Sequence, residues 1–289
     1  MDFNTFMSQA WADHATDARA VAQRLHEGLA LVADEPQLAR LADLAHHVHG
    51  EHLGEWQAGI DFIERLARLP AFVAEGPSGQ TLRRCLASLG LSVGAEPDLA
   101  ALSPSDRIRV EALAATNLAQ HDAARATRLL QEALARARRS ALAATDPMNR
   151  ALAVTGNNVA CTLEEKPDRS PGERELMILA AQTARHYWAI AGTWLETERA
   201  EYRLAMTWLQ AGDPAQARTH AQNCLDIVAA NEGAALERLF GWEALGLVER
   251  AAGNATGHAQ ALTRAREAFA VLGEDDKSWC AASLAKLAG

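Results

Sequence analysis

The sequence predicts an all-α protein, and three observations carry that prediction. Apolar residues make up 49% of the chain but aromatic ones only 5%, so alanine and leucine must supply the core, and small side chains suit closely packed helices. No segment alternates apolar and polar residues with the Val, Ile and Thr enrichment of a strand, which argues against a sheet. Apolar positions instead recur three and four residues apart along almost all of the 289 residues, the pattern of amphipathic helices.

Each element follows from local signals. From Phe3 to His14 and from Asp17 to Val32 the apolar residues fall at helical spacing, with Thr16 placed to cap the second helix. Pro36 suits the first turn of a helix carrying Leu41, Leu44, Ala45 and Val48, and a turn over His49 to Gly54 leads into a helix from Trp56 to Leu69. Gly76-Pro77-Ser78-Gly79 and Gly94-Ala95-Glu96-Pro97 bracket a single helix with Leu82, Cys85, Leu86 and Leu89 on one face. Ser103-Pro104 opens a helix from Ser105 to Ala119, and a turn at His121-Asp122 starts another to Arg139. Asp146-Pro147 begins a further pair, joined by a loop from Glu165 to Gly172 to a helix with Ala181, Arg185 and Trp188. Arg199 to Ala229 holds two helices about the turn Gly212-Asp213-Pro214. From Phe240 to Phe269 the chain places Trp242, Leu245 and Gly246 on one face, breaks at Ala251-Ala252-Gly253-Asn254, and repeats the face with Ala261, Ala265 and Ala268. Glycine inside a helix costs roughly 1 kcal/mol against alanine, so Gly246 marks a close approach of another helix. Asp275 or Asp276 then caps a last helix through Trp279, Ala282 and Leu287.

The Trp242-x-x-Leu245-Gly246 pattern with its later alanines resembles the tetratricopeptide repeat family. Leu113, Ala114, Ala126, Leu130 and Ala133 carry the same unit, as do Leu204, Ala205, Trp208, Ala217, Ala221 and Cys224. Asn157-Asn158-Val159-Ala160 looks like the asparagine-rich first helix of kinesin-light-chain-type repeats, whereas Ala181, Arg185 and Trp188 are bulkier than the family's small positions. The resemblance runs from Thr5 to Leu287. It implies one repeat domain over residues 1–289, an α-α superhelix of antiparallel helix pairs. Within it, 1–70 holds weaker repeats, 71–102 an irregular segment, 103–272 the better-matching repeats and 275–288 a capping helix.

What the resemblance implies for function is a concave surface that holds a peptide or protein segment. The family lines that surface with the first helix of each pair. Carried over position by position, this gives Glu111, Asn157, Tyr202, Met206, Glu243 and Leu247, with Glu164, Arg199 and Arg250 one turn away on the same face. Ala115, Cys161, Leu118 and Leu209 occupy the remaining positions. Asparagine can pair with an extended backbone through donor and acceptor, while tyrosine and methionine offer adaptable apolar contact. Chaperone-binding members of the family grip a C-terminal carboxylate with lysine, asparagine and arginine; glutamates stand there in this chain, so a basic or neutral polar partner is expected.

Other chemistries find little support. A net charge of -9 and a pI near 5.6 disfavour nucleic acid, and the one basic concentration, Arg125, Arg128, Arg136, Arg138 and Arg139, lacks aromatic interleaving and ends at a helix C-terminus that favours cations anyway. With no leader pattern and no long apolar run, a cytoplasmic chain without membrane contact is expected. Cys85, Cys161, Cys224 and Cys280 are too dispersed for a disulfide framework or metal ligation, and read as reduced core thiols. His46 and His49 lie one helical turn apart in the cluster His46, His47, His49 and His52, with only Asp43 and Glu51 close by. The spacing is not that of H-E-x-x-H, and solvated histidines at a helix end are the expected reading, with no metal and no cofactor. Phosphate-loop, nucleophile-elbow and dinucleotide motifs are missing, so the sequence predicts binding rather than catalysis. Two other readings stand beside the adaptor: a sensor or regulatory module responding to a small molecule or signalling peptide, and a self-assembly scaffold that pairs as a homodimer through the Trp279 cap or the N-terminal hairpin.

Overall fold

The computed structural model describes residues 1–289 and is all-helical, with fourteen α-helices, one π turn and no strand. The chain divides into two compact units, Met1–Met148 and Asn149–Gly289. No helix is long and apolar enough to cross a membrane.

The first unit holds α1 (Phe3–Asp13), α2 (Ala18–Leu31), α3 (Glu35–His46), a π turn (His47–His52), α4 (Trp56–Leu66), α5 (Pro77–Val93), α6 (Pro104–Leu118) and α7 (Ala123–Arg139). Its largest core cluster is built from Phe6, Met7, Leu25, Leu38, Leu41, Leu44, Ile63, Leu66 and Leu89, apolar positions spaced by three and four within each helix. The N-cap of α2 is Asp17, whose carboxylate accepts from the Ala20 amide at 2.9 Å. Thr16, the expected cap, instead donates its hydroxyl back to the carbonyl of Asp13 at the end of α1, 3.0 Å away. The stretch expected as an open turn after α3 is helical: its backbone widens into the π turn, closed by the amide of Leu53 on the carbonyl of Val48 at 3.1 Å, five residues back.

The second unit holds α9 (Pro171–Ala191), α10 (Trp194–Gln210), α11 (Pro214–Ala230), α12 (Ala235–Ala251), α13 (Ala255–Ala270) and α14 (Glu274–Ala288), together with most of α8 (Pro147–Glu165). Successive helices pack as neighbours, α10 on α11 and α12 on α13 most extensively. α10 begins at Trp194, where Thr193 and Glu196 form a capping box that satisfies two terminal amides reciprocally. Gly273, rather than an aspartate, is the N-cap of α14, and Glu274, Asp275 and Asp276 occupy its first turn, where the helix dipole favours negative charge.

Small residues set the helix spacing in this unit. A side chain at Gly246 would meet Leu287 Cδ1 at 2.7 Å and Ala261 Cβ at 3.2 Å, so the glycine lets both α13 and α14 approach α12. At Gly156 a Cβ would lie 2.4 Å from the carbonyl oxygen of Ala180 and 2.6 Å from the amide nitrogen of Ala184, backbone atoms of α9. The alanines expected in the seam, Ala217, Ala221, Ala261, Ala265 and Ala268, are all buried.

Candidate functional site

In the second unit the first residues of α12 face α10, and between them opens a cleft of about 390 Å³. α10 contributes Glu198, Arg199, Tyr202 and Arg203, positions i, i+1, i+4 and i+5, which share one helical face. From α12 come Leu236, Glu237 and Phe240 by the same spacing, and Asn157 of α8 and Trp279 of α14 complete the lining. Every lining helix is the first member of a pair or the last helix of the chain.

One wall is aromatic. The rings of Tyr202 and Phe240 meet edge to face at 5.8 Å between centroids, and those of Phe240 and Trp279 follow at 5.4 Å. Trp279 is 67% exposed, so the ladder runs from a largely buried tyrosine to a ring open to solvent. The other wall is charged. Arg199, largely exposed, reaches the buried carboxylate of Glu237 at 3.4 Å. Arg203 is engaged by an ion pair with Glu164, which also accepts from the hydroxyl of Thr207.

The buried groups behind these walls are tuned by desolvation. Burial pushes the carboxyl of Glu198 up to about 7; the thiol of Cys224 donates to it at 2.7 Å. Burial and the neighbouring Glu198 in turn raise the Cys224 thiol far above its ordinary range, which leaves it protonated and unreactive. Tyr202 donates its hydroxyl to Glu243 at 3.2 Å; burial raises the pKa of both groups, and the glutamate adds to the shift of the tyrosine. That bond fixes the orientation of the tyrosine ring, which lines the cleft.

Of the residues expected to line a groove, the cleft brings together Asn157, Arg199 and Tyr202. Glu164 and Glu243 stand directly behind it, engaged by Arg203 and Tyr202. Met206 packs half-buried against the cores of the same unit, and Leu247 is buried beside Cys280 and Leu287. Arg250 donates to the carbonyls of Lys286 and Leu287 at 2.9 and 3.4 Å and so caps the C-terminus of α14. Glu111 belongs to the first unit, where it is 3% exposed and bound by the guanidinium of Arg136 at 2.7 Å. The sequence pattern missed Glu198 and Phe240, which lie one turn from Tyr202 and from its α12 counterpart Glu243, and Glu237, nearly two turns before Glu243. That signal was present, but the facing of α12 on α10 decides which turn is open.

In the first unit, His46 and His49 are buried rather than solvated. His46 Nε2 pairs with the hydroxyl of Ser88 at 2.7 Å, and burial lowers its pKa to about 4. The arginine concentration is partly consumed as well: Arg136 holds Glu111, and Arg125 donates to the carbonyl of Leu91 at 2.6 Å. All four cysteines are free thiols.

Comparison with known proteins finds no matching family, no matching curated protein and no matching solved structure.

Proposed function

We propose that the chain is a tetratricopeptide-like binding protein whose second unit holds a peptide or protein segment in the cleft between α10 and α12. The observation that carries this reading is the lining itself: α8, α10, α12 and α14, alternate helices along the chain, turn their faces to one cleft, which is how a stack of helix pairs builds an inner surface. An exposed tryptophan at the end of an aromatic ladder, beside a carboxylate whose only cation is a solvent-exposed arginine, suits a basic or neutral polar segment. The Arg199–Glu237 pair is open to water on the arginine side and contributes little, about 0–1 kcal/mol, so an incoming cation can replace it. The protonated, buried Cys224 and the motif-poor sequence support binding rather than catalysis, with no nucleic acid in the cleft.

The experiment is a titration of short peptides of basic, neutral and acidic composition, followed by tryptophan fluorescence, in wild type and Trp279→Ala. Trp279 is exposed, so its removal leaves the fold intact. Saturable binding of basic or neutral peptides that weakens at least tenfold in Trp279→Ala is expected. Equal binding by wild type and variant, or preference for acidic peptides, would overturn the assignment. The size of the cleft, within the range of small-molecule pockets of roughly 300–1,000 Å³, favours a sensor as the second reading. A thermal-shift screen in which a small metabolite, and no peptide, stabilises the chain would favour it.

A further inference from the structure

The π turn of the first unit gathers three histidines that helical spacing alone keeps apart. In an α-helix, residues five apart point about 140° away from each other. In a π turn they come together, and His47 and His52 accordingly stand with ring centroids 4.7 Å apart and their Nε2 atoms at 3.1 Å. His14, at the end of α1, joins them, its centroid 5.0 Å from that of His47 and 5.1 Å from that of His52. One ring nitrogen from each of the three lies within 4.8 Å of the others.

Hydrogen bonds to the opposite nitrogens settle which atoms are offered. His14 Nδ1 lies 2.6 Å from the carbonyl oxygen of Trp11, which can only accept, so Nδ1 carries the proton and Nε2 the lone pair. His47 Nδ1 lies 3.0 Å from the carboxylate of Glu51, with the same consequence. This is the outer-shell arrangement that orients metal-binding imidazoles. His52 is exposed at the rim, and Trp11, 40% exposed, flanks the group with its ring 5.1 Å from His14 and 5.2 Å from His47.

We infer that His14, His47 and His52 bind one divalent transition-metal ion of the zinc class, with the fourth position open to water. Three neutral imidazoles with one open site are a known zinc donor set. A tetrahedral ion with bonds of about 2.0–2.1 Å places its nitrogens about 3.4 Å apart. His47 and His52 are already near that distance, and His14 has to advance by at most about 1.4 Å from the 4.8 Å limit, within the reach of a side-chain rotation. Without the ion, His52 donates its Nε2 proton to the lone pair of His47. On binding, His52 changes tautomer through solvent: Nε2 gives its proton to water while Nδ1 takes one up, so that three neutral imidazoles turn lone pairs to the metal.

The test uses the full chain free of any histidine tag, titrated with zinc chloride by calorimetry and with copper(II) chloride by tryptophan quenching. One ion per chain is expected. His14→Ala and His52→Ala each weaken zinc binding about 100-fold or more, Glu51→Gln about 10-fold, and His26→Ala, at an exposed histidine elsewhere, not at all. X-ray absorption of the zinc form shows three nitrogen ligands of imidazole type. Circular dichroism checks that the variants fold, and His52, lying at the surface, is the variant least able to disturb the core. Absence of wild-type binding at 100 µM zinc, equal binding by wild type and the His14→Ala/His52→Ala double variant, or a zinc spectrum without histidine would each overturn the inference.

Discussion

Gly156→Ala is expected to destabilise the second unit more than any other glycine-to-alanine change within that unit. The new Cβ would lie 2.4 Å from the carbonyl oxygen of Ala180, against an ordinary contact of about 3.4 Å, so α8 and α9 have to part by about 1 Å. Ala180, Ala181 and Ala184 line that side of α9 and are buried, so no flexible side chain can turn aside. A gap of that size forfeits a quarter to a half of the dispersion energy along the contact, which places the cost at the upper end of overpacking, about 3–4 kcal/mol. Alanine regains about 1 kcal/mol of helix propensity, for a net loss of about 2–3 kcal/mol. In a unit of this length that lowers the melting temperature by about 6–12 °C. Two companions calibrate the result. Gly246→Ala meets the movable side chain of Leu287 and is expected to cost only about 0–1 kcal/mol net. Gly172→Ala meets nothing within 4 Å and is expected to be neutral or stabilising by up to about 0.5 kcal/mol. Thermal and urea denaturation of the three variants decides the matter. A Gly156→Ala protein as stable as Gly172→Ala would refute the close approach of α8 to α9.

Two further variants test the buried charges. Glu198 holds its proton up to about pH 7 when folded and releases it near its ordinary value of 4.5 when unfolded, so the folded state carries the extra proton between those limits. Stability therefore falls as pH rises through that window, by about 2–3 kcal/mol, and then levels off; Glu198→Gln should abolish the slope and exceed wild type at pH 8, as read from urea midpoints at pH 5, 6, 7 and 8. Arg136→Ala strands the buried Glu111 without a partner and should cost about 2 kcal/mol in the same assay, discounted because the arginine is one-third exposed. The double variant Arg136→Ala/Glu111→Gln should recover part of that loss, and an unchanged midpoint in Arg136→Ala would remove the argument.

The helices were legible because each is amphipathic within its own span, and apolar spacing needs no knowledge of neighbours. Caps were less so: Thr16 and Asp17 are equally able to cap α2, and the competing bond from Thr16 to Asp13 decides between them. Histidine spacing misled for a specific reason. Counting in turns of 3.6 paired His46 with His49, but those two are buried in the core, and one widened turn brings His47 to His52, while the partnership of His14 depends on how α1 packs on the same unit.

The cleft separates the two kinds of information most clearly. Rules for an inner helical face reached Asn157, Arg199 and Tyr202, and extended equally to Leu247 and Arg250 on α12. The C-terminal half of α12 is already covered, because Leu287 packs onto Gly246 and Arg250 caps α14 through the carbonyls of Lys286 and Leu287. The last helix therefore covers the C-terminal end of that face of α12, while Glu237 and Phe240 at the other end line the cleft. Trp279 projects from the same covering helix beside Phe240, so a residue that the sequence places only in the last helix becomes the exposed lip of the cleft.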